Sequence, residues 1–152
     1  MTKQHRQVLQ ALKALLETSP SNMVVRGEAL LERLVPLDDA EYARELFGLF
    51  TDEGDHQGLL WSVLQVLETL PAPSFALALL TASPQLGRRS LDWTGTFFLR
   101  ALRDPPTKQS LETVAMENPG LQRSQTRRTI ATIQQRNPED LLLFQPLLSV
   151  LA

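Results

Sequence analysis

The stretch FTDEGDHQGLLWSVLQVLETLP, residues 50–71, joins a polar turn to a long apolar run. Within residues 59–70 the polar side chains form one narrow stripe, made of Ser62, Gln65, Glu68 and Thr69. A helix with so little polar surface is expected to be buried on most of its circumference. The stretch therefore predicts a central core helix and an α-helical fold around it.

Helix signals continue along the whole chain, whereas the alternation or β-branched runs typical of strands are missing. Leu and Ala, both good helix formers, dominate the apolar positions. Proline, glycine, asparagine and serine punctuate the chain at intervals, and these positions predict helix ends. The breaks are Ser19–Ser21, Pro36 with Asp38, Gly54–Asp55, Pro71–Pro73, Pro84–Ser90, Pro105–Pro106, Asn118–Gly120 and Asn137–Pro138.

These breaks divide the chain into about nine short helices, each of about 10 to 16 residues, with short connections. Helix starts recur about every 15 to 20 residues, a spacing that suits stacked antiparallel hairpins. No residue-level repeat is present, so a HEAT-like solenoid and an irregular helical bundle both remain open. We expect an all-α protein with residues 1–152 in a single domain.

Composition narrows the possible functions. The 152 residues include no cysteine and only two histidines, His5 and His56, so thiolate chemistry is excluded and a metal site would depend on carboxylates. The polar N-terminus does not resemble a signal peptide, and no apolar run is long enough to span a bilayer. We expect a cytoplasmic protein. Because phosphate-binding loops, nucleophile elbows and zinc-protease motifs are missing, we expect neither catalysis nor a cofactor.

Several polar residues are interpreted as helix caps. Gly54 is expected to end one helix in a left-handed conformation, and Asp55 to cap the next one. Asp38 or Asp39 is expected to cap the helix that follows Pro36, and Thr107 the helix after the Pro-Pro break. Asn137 and Pro138 together predict a cap followed by proline at the first helical position.

Acidic side chains are concentrated between residues 38 and 55. This segment contains seven acidic residues and one basic residue, which gives it a local net charge of −6. Seven carboxylates exceed what helix capping requires, although solvated helix ends remain an alternative interpretation. A surface of this sign could attract and orient a basic protein. The candidate partner-binding residues are Asp38, Asp39, Glu41, Glu45, Asp52, Glu53 and Asp55.

Basic side chains are concentrated later, with nine basic and four acidic residues between residues 88 and 136. They could contact nucleic acid, but aromatic residues are not interleaved with them, so solvated arginines on outer helices are the favoured interpretation. The two tryptophans, Trp61 and Trp93, are interpreted as core anchors. The arginines of the nucleic-acid alternative are Arg88, Arg89, Arg100, Arg103, Arg123, Arg127 and Arg128.

Two segments carry a family resemblance. GLLWSVLQVLETLP (residues 58–71) and SLDWTGTFFLRALRDP (residues 90–105), with an apolar helix between them, resemble an all-helical family of bacterial immunity proteins that accompany polymorphic toxins, including contact-dependent growth-inhibition systems. The resemblance covers residues 52–137. Most of its matching positions are core and turn residues, so it concerns the fold more than a binding site. These positions are Trp61, Glu68, Trp93, Leu99, Arg100, Leu102, Asp104 and Pro105.

The resemblance implies a non-catalytic protein that binds and blocks its cognate toxin. Such toxins are often nucleases with basic substrate clefts, which an acidic surface would complement. The expected complex contains one copy of this chain and the C-terminal domain of the toxin, without membrane or nucleic acid. The alternatives are a helical-repeat module that binds nucleic acid and a scaffold or adaptor.

Overall fold

A computed structural model describes residues 2–152. This part of the chain forms nine α-helices and two single-turn 3-10 helices and contains no strand, so the all-α prediction is confirmed. The α-helices are α1 Lys3–Thr18, α2 Met23–Leu31, α3 Ala40–Phe47, α4 Gln57–Leu67, α5 Ala72–Arg89, α6 Leu91–Arg103, α7 Pro105–Glu117, α8 Arg123–Arg136 and α9 Leu141–Leu151. The 3-10 helices are Glu32–Leu34 and Pro138–Asp140. None of these helices is long and apolar enough to cross a bilayer.

Helix α5 lies at the centre of the packing and contacts α3, α6, α7 and α8. Helices α1 and α4 adjoin this centre through α3, while α2 packs on α4 and α9 packs on α7 and α8. Because α5 contacts α8 as well as its chain neighbour α6, the helices depart from a uniform ladder of hairpins. The HEAT-like form of the fold stays a prediction.

The core contains side chains from every α-helix, and its centre is aromatic. The ring of Phe97 lies 4.9 Å from the rings of both Phe47 and Phe50, measured between centroids and in edge-on geometry. In α4 the apolar positions Leu59, Leu60, Val63, Leu64 and Leu67 are fully buried. The burial expected for the apolar side of this helix is therefore observed, but α5 rather than α4 has the central position.

The predicted break at Pro84–Ser90 is correct at Ser90, which separates α5 from α6, but wrong at Pro84, because α5 continues through Pro84 to Arg89. Proline lacks the N–H that would bond to the carbonyl four residues earlier, which here belongs to Leu80. The Ser83 hydroxyl replaces that donor and reaches the Leu80 carbonyl oxygen at 2.9 Å. A buried neighbouring side chain thus satisfies the carbonyl and allows the helix to continue.

Three of the predicted caps, Thr107, Asn137 and Asp55, also differ. Asp39 caps α3 as expected and accepts a hydrogen bond from the Tyr42 N–H at 3.1 Å. Helix α7, however, begins at Pro105 with Asp104 as its cap, and Thr107 donates both its N–H and its hydroxyl to the Asp104 carboxylate. Proline in the first turn needs no N–H donor, so the cap lies before the Pro-Pro pair rather than after it.

Asn137 does not cap the following helix through its side chain. Its amide instead donates to the Ile133 carbonyl at 2.8 Å, near the end of α8. Pro138 then opens a 3-10 turn that leads into α9. The residue types at this break predicted a helix boundary correctly, but the bond that Asn137 makes belongs to the helix before it.

The acidic turn is a loop rather than a tight helix junction. Helix α3 ends at Phe47, and α4 begins at Gln57 after the N-cap His56, so Asp55 is not the cap. Gly54 has a φ of +91°, the left-handed conformation expected of it, but inside the loop. The His56 ring nitrogen Nδ1 lies 3.3 Å from the Ser19 hydroxyl, which connects this loop to the end of α1.

Candidate protein-binding surface

Trp61 is the most distinctive exposed side chain on α4. Its side chain is 44% exposed, whereas Trp93 is 5% exposed, so the prediction that both are core anchors is wrong for Trp61. Trp61 contacts the buried ring of Trp93 edge-on, with 5.0 Å between ring centroids. A large aromatic ring held against a rigid support and open to solvent on its other side is typical of protein-contact sites.

The spacing along α4 explains why Trp61 is exposed. Gly58, Trp61, Gln65 and Glu68 follow one another at intervals of three or four residues and therefore share one side of the helix. All four are exposed. The polar members of this stripe were visible in the sequence and could have placed Trp61 on the outer surface.

A small cleft of about 180 Å³ lies between α4 and α6 beside Trp61. The Trp93 indole N–H donates to Gln57 Oε1 at 2.9 Å, which fixes the floor of the cleft. Two carboxylates, those of Asp52 and Asp92, line it together with Thr96. We call this site the Trp61 cleft; its lining residues are Asp52, Gln57, Trp61, Asp92, Trp93 and Thr96.

The two carboxylates of the Trp61 cleft differ in what holds them. Asp52 accepts the backbone N–H groups of Asp92 and Trp93 at 3.0 and 3.2 Å, and so caps the first turn of α6. The Asp92 side chain is 76% exposed and pairs with the Arg136 guanidinium of α8 at 3.0 Å. One carboxylate is therefore fixed by the fold, and the other is open to solvent and forms an exposed ion pair.

Helix α2, which packs on α4, adds apolar and acidic side chains beside this exposed side of α4. Val24 and Val25 are exposed, by 38% and 71%, and Glu28 accepts a hydrogen bond from the Ser62 hydroxyl at 3.2 Å. A groove of about 300 Å³ follows between α2 and α4. It includes Glu32 and the exposed Val35. Apolar anchors surrounded by polar groups are typical of protein interfaces.

Two of the seven acidic candidates have clear structural roles. Asp52 caps α6, as described above. Asp39 caps α3 and lies 3.5 Å from the His5 ring nitrogen. Burial, the largest single cause, would raise the pKa of Asp39, but hydrogen bonds from the Tyr42 and Glu41 backbone N–H groups, together with nearby positive charge that includes His5, lower the pKa overall. These two carboxylates are part of the framework that holds α1, α3 and α6 in place.

The other five candidates have exposed side chains. Glu41 and Glu45 lie one turn apart on the outer side of α3, which buries Tyr42 and Leu46 on its inner side. Asp38 precedes this helix, whereas two others lie in the loop that follows it. The exposed candidates are Asp38, Glu41, Glu45, Glu53 and Asp55.

Several of the basic candidates make contacts within the protein. The Arg100 guanidinium binds both carboxylate oxygens of Glu68, at 2.8 and 3.0 Å, and this hydrogen bonding raises the pKa of Arg100. Arg103 pairs with Asp140 at 3.1 Å. Arg123 donates to the backbone carbonyls of Ala115 and Val150. These three arginines therefore connect helices, which weakens the case for a basic nucleic-acid surface.

Within residues 2–152, no three His, Asp or Glu side chains lie close enough together to hold a metal ion.

The model of the immunity protein 30 family matches residues 13–111. No curated protein and no solved structure gives a significant match. The matched segment begins inside α1 and ends inside α7, and includes the whole Trp61 cleft and all seven acidic candidates. It extends further toward the N-terminus, and less far toward the C-terminus, than the resemblance recognised over residues 52–137. Since the match spans more than half of the chain, the protein belongs to the immunity protein 30 family.

Proposed function

We propose that this protein neutralises a cognate bacterial toxin by binding its C-terminal toxic domain, without catalysis or a cofactor. The family match over residues 13–111 carries this proposal, because an immunity protein implies a protein toxin as its partner. The proposed complex contains one copy of each chain and forms in the cytoplasm. A toxin of the polymorphic or contact-dependent type, with nuclease activity, suits the charge of this protein.

The acidic side chains around α3 are proposed to attract a basic toxin surface. Nuclease clefts are basic because they bind phosphates, so the five exposed carboxylates would increase the rate of encounter. Asp39 and Asp52 add to the same negative field while they cap helices. Interactions of this kind act mainly on the association rate and weaken as salt is added.

The test begins with capture of the toxin from extract of the source cells by the tagged protein, followed by expression of the captured domain. The triple charge reversal Glu45→Lys, Glu53→Lys and Asp55→Lys should slow association about tenfold or more at low salt, and less at high salt. It should also reduce the survival of cells that express the toxin.

The matched control reverses Glu112, Glu117 and Glu139, which lie on α7 and in the 3-10 turn before α9 and give the same charge change. If both triple variants associate with the toxin equally fast, the acidic surface has no special role in binding. If the wild-type protein neither binds a toxin domain nor protects cells that express one, the proposed function itself is wrong.

A further inference from the structure

We propose that the Trp61 cleft receives an arginine side chain of the toxin and that Trp61 is the central anchor of the interface. This inference rests on the proposed function and adds the location and the chemistry of the contact. It concerns the outer surface of α2, α4 and α6, rather than the exposed carboxylates around α3.

The chemistry of the cleft suits a guanidinium group. The exposed face of an indole ring attracts a cation placed over it, and arginine stacks on such a ring more often than lysine does. Carboxylates beside the ring accept the planar N–H donors of the same group. In the Trp61 cleft an exposed indole, Asp52 and Asp92 surround one space of about 180 Å³.

An arginine of the protein itself already uses part of this site. The Arg136 guanidinium binds Asp92 Oδ1 at 3.0 Å, although both side chains are largely exposed, by 57% and 76%. The Asp92 carboxylate is therefore accessible to a guanidinium that approaches from solvent. An exposed pair of this kind contributes little to stability, so an arginine of the toxin can replace Arg136 at small cost.

Apart from the exposed Asp92 side chain, most of the cleft lining is held in place before a partner arrives. Two backbone N–H groups of α6 hold Asp52, the Trp93 indole N–H holds Gln57, and the buried Trp93 ring supports Trp61. Binding to such a site loses little side-chain entropy, which favours affinity. On the α2 side, the exposed Val24 supplies apolar area beside the same face of α4, since Val24 adjoins Gly58, which shares that face with Trp61.

The first experiment needs no toxin. The ¹⁵N-labelled protein is titrated with the tripeptide Gly-Arg-Gly, blocked at both ends, while the indole N–H signals of Trp61 and Trp93 are followed by NMR. With only two tryptophans in the chain, the variant Trp61→Phe assigns both signals. We expect a saturable shift of the Trp61 signal with Gly-Arg-Gly and none with blocked Gly-Gln-Gly. Equal shifts with both peptides, or no shift with either, would overturn the proposal.

Two charge variants predict opposite changes in the same titration. Asp92→Asn removes the exposed carboxylate and should weaken peptide binding about threefold, whereas Arg136→Gln removes the internal competitor and should strengthen it about threefold. Arg127→Gln makes the same charge change on α8 about 13 Å away along the helix, and should have no effect. If Arg136→Gln and Arg127→Gln give the same affinity, Arg136 does not compete for the site.

The second experiment uses the captured toxin domain. Trp61→Ala should weaken binding about tenfold or more, and the control Met116→Ala, which truncates another exposed apolar side chain, should stay within about twofold. Thr96→Lys places an ammonium group in the cleft without changing the core and should also weaken binding. If Trp61→Ala and Thr96→Lys bind as tightly as Met116→Ala, the cleft is not the contact site. If no toxin is captured, the proposed function fails, and the peptide titration still decides whether the cleft binds arginine.

Discussion

At the scale of single residues, Asp52 has two roles: its carboxylate belongs to the acidic segment, and it also stabilises the fold. It caps α6 from a loop 40 residues earlier in the chain through two backbone N–H bonds. Asp52→Ala should lower the free energy of unfolding by about 1–2 kcal/mol, because both donors lose their acceptor. Urea denaturation measures this loss, with the exposed neighbour variant Glu53→Ala as a control that should stay within about 0.5 kcal/mol. Equal stability of the two variants would contradict the cap.

Tyr42 predicts the response of the protein to alkaline pH. Its burial, together with the nearby Asp39 charge, raises its pKa to about 12 from an unfolded value of 10.0. The folded state therefore favours the neutral phenol. The contribution that the neutral form of Tyr42 makes to the free energy of unfolding is fully present below pH 10 and is lost as the pH rises from 10 to 12. The loss should be about 3 kcal/mol.

Tyr42→Phe is the matched control for this loss. The hydroxyl is buried without a hydrogen-bond partner among residues 2–152, so its removal should change stability little at neutral pH. The variant should lose less stability than the wild type between pH 10 and 12, measured by urea denaturation at each pH. Parallel stability curves for the two proteins would show that Tyr42 ionises equally in both states.

At the scale of helices, most of the helices but not all of their ends could be predicted from the sequence. Pro71 and Pro105 lie at helix starts, where a missing N–H is harmless, whereas Pro84 lies inside α5. The residue is proline in each case. Whether the helix continues through it depends on whether another donor reaches the carbonyl, four residues earlier, that the proline cannot bond. Ser83 supplies that donor, and only the three-dimensional packing shows that its hydroxyl points inward.

Gly27 controls how closely α2 approaches α4. A Cβ atom at this position would lie 2.2 Å from Leu59 Cδ1, and Leu59 is fully buried, so its side chain has little room to move. Gly27→Ala should therefore destabilise the protein by about 1–3 kcal/mol through overpacking, in spite of alanine's better helix propensity. Gly120→Ala is the control, since a Cβ there meets nothing within 4 Å. Urea denaturation should rank Gly27→Ala below Gly120→Ala, and the reverse order would contradict the close approach.

At the scale of the whole molecule, the candidate surface was harder to predict than the fold. Charge counting along the sequence identified the acidic segment, but it did not separate Asp39 and Asp52, which cap helices, from the candidates with exposed side chains. The polar residues Gln65 and Glu68 on the same side of α4 could have placed Trp61 on the outer surface, but no local pattern showed that its ring would lie against the buried ring of Trp93. The contacts that create the Trp61 cleft join residues about 30 to 45 positions apart. A local sequence pattern contains no information about such pairs.

Helices α8 and α9 are expected to unfold together with the rest of the protein. The family match ends at residue 111, but α8 and α9 contribute buried side chains to the same core, among them Ile130, Ile133, Phe144 and Leu147. If residues 2–152 fold as one domain, a cavity in α9 should destabilise α4 and α6 as well. Phe144→Ala removes a fully buried ring and should cost about 3–5 kcal/mol.

Two probes of urea denaturation distinguish one domain from two. Circular dichroism reports all nine helices of residues 2–152, whereas tryptophan fluorescence reports only α4 and α6, which carry Trp61 and Trp93. In a single domain the two transitions coincide in the wild type, and Phe144→Ala shifts both to lower urea by the same amount. Leu142→Ala is the control, because Leu142 lies on the same helix with 83% of its side chain exposed. A fluorescence transition that stays in place while Phe144→Ala shifts only part of the dichroism signal would mean that α8 and α9 unfold separately from the helices that form the Trp61 cleft.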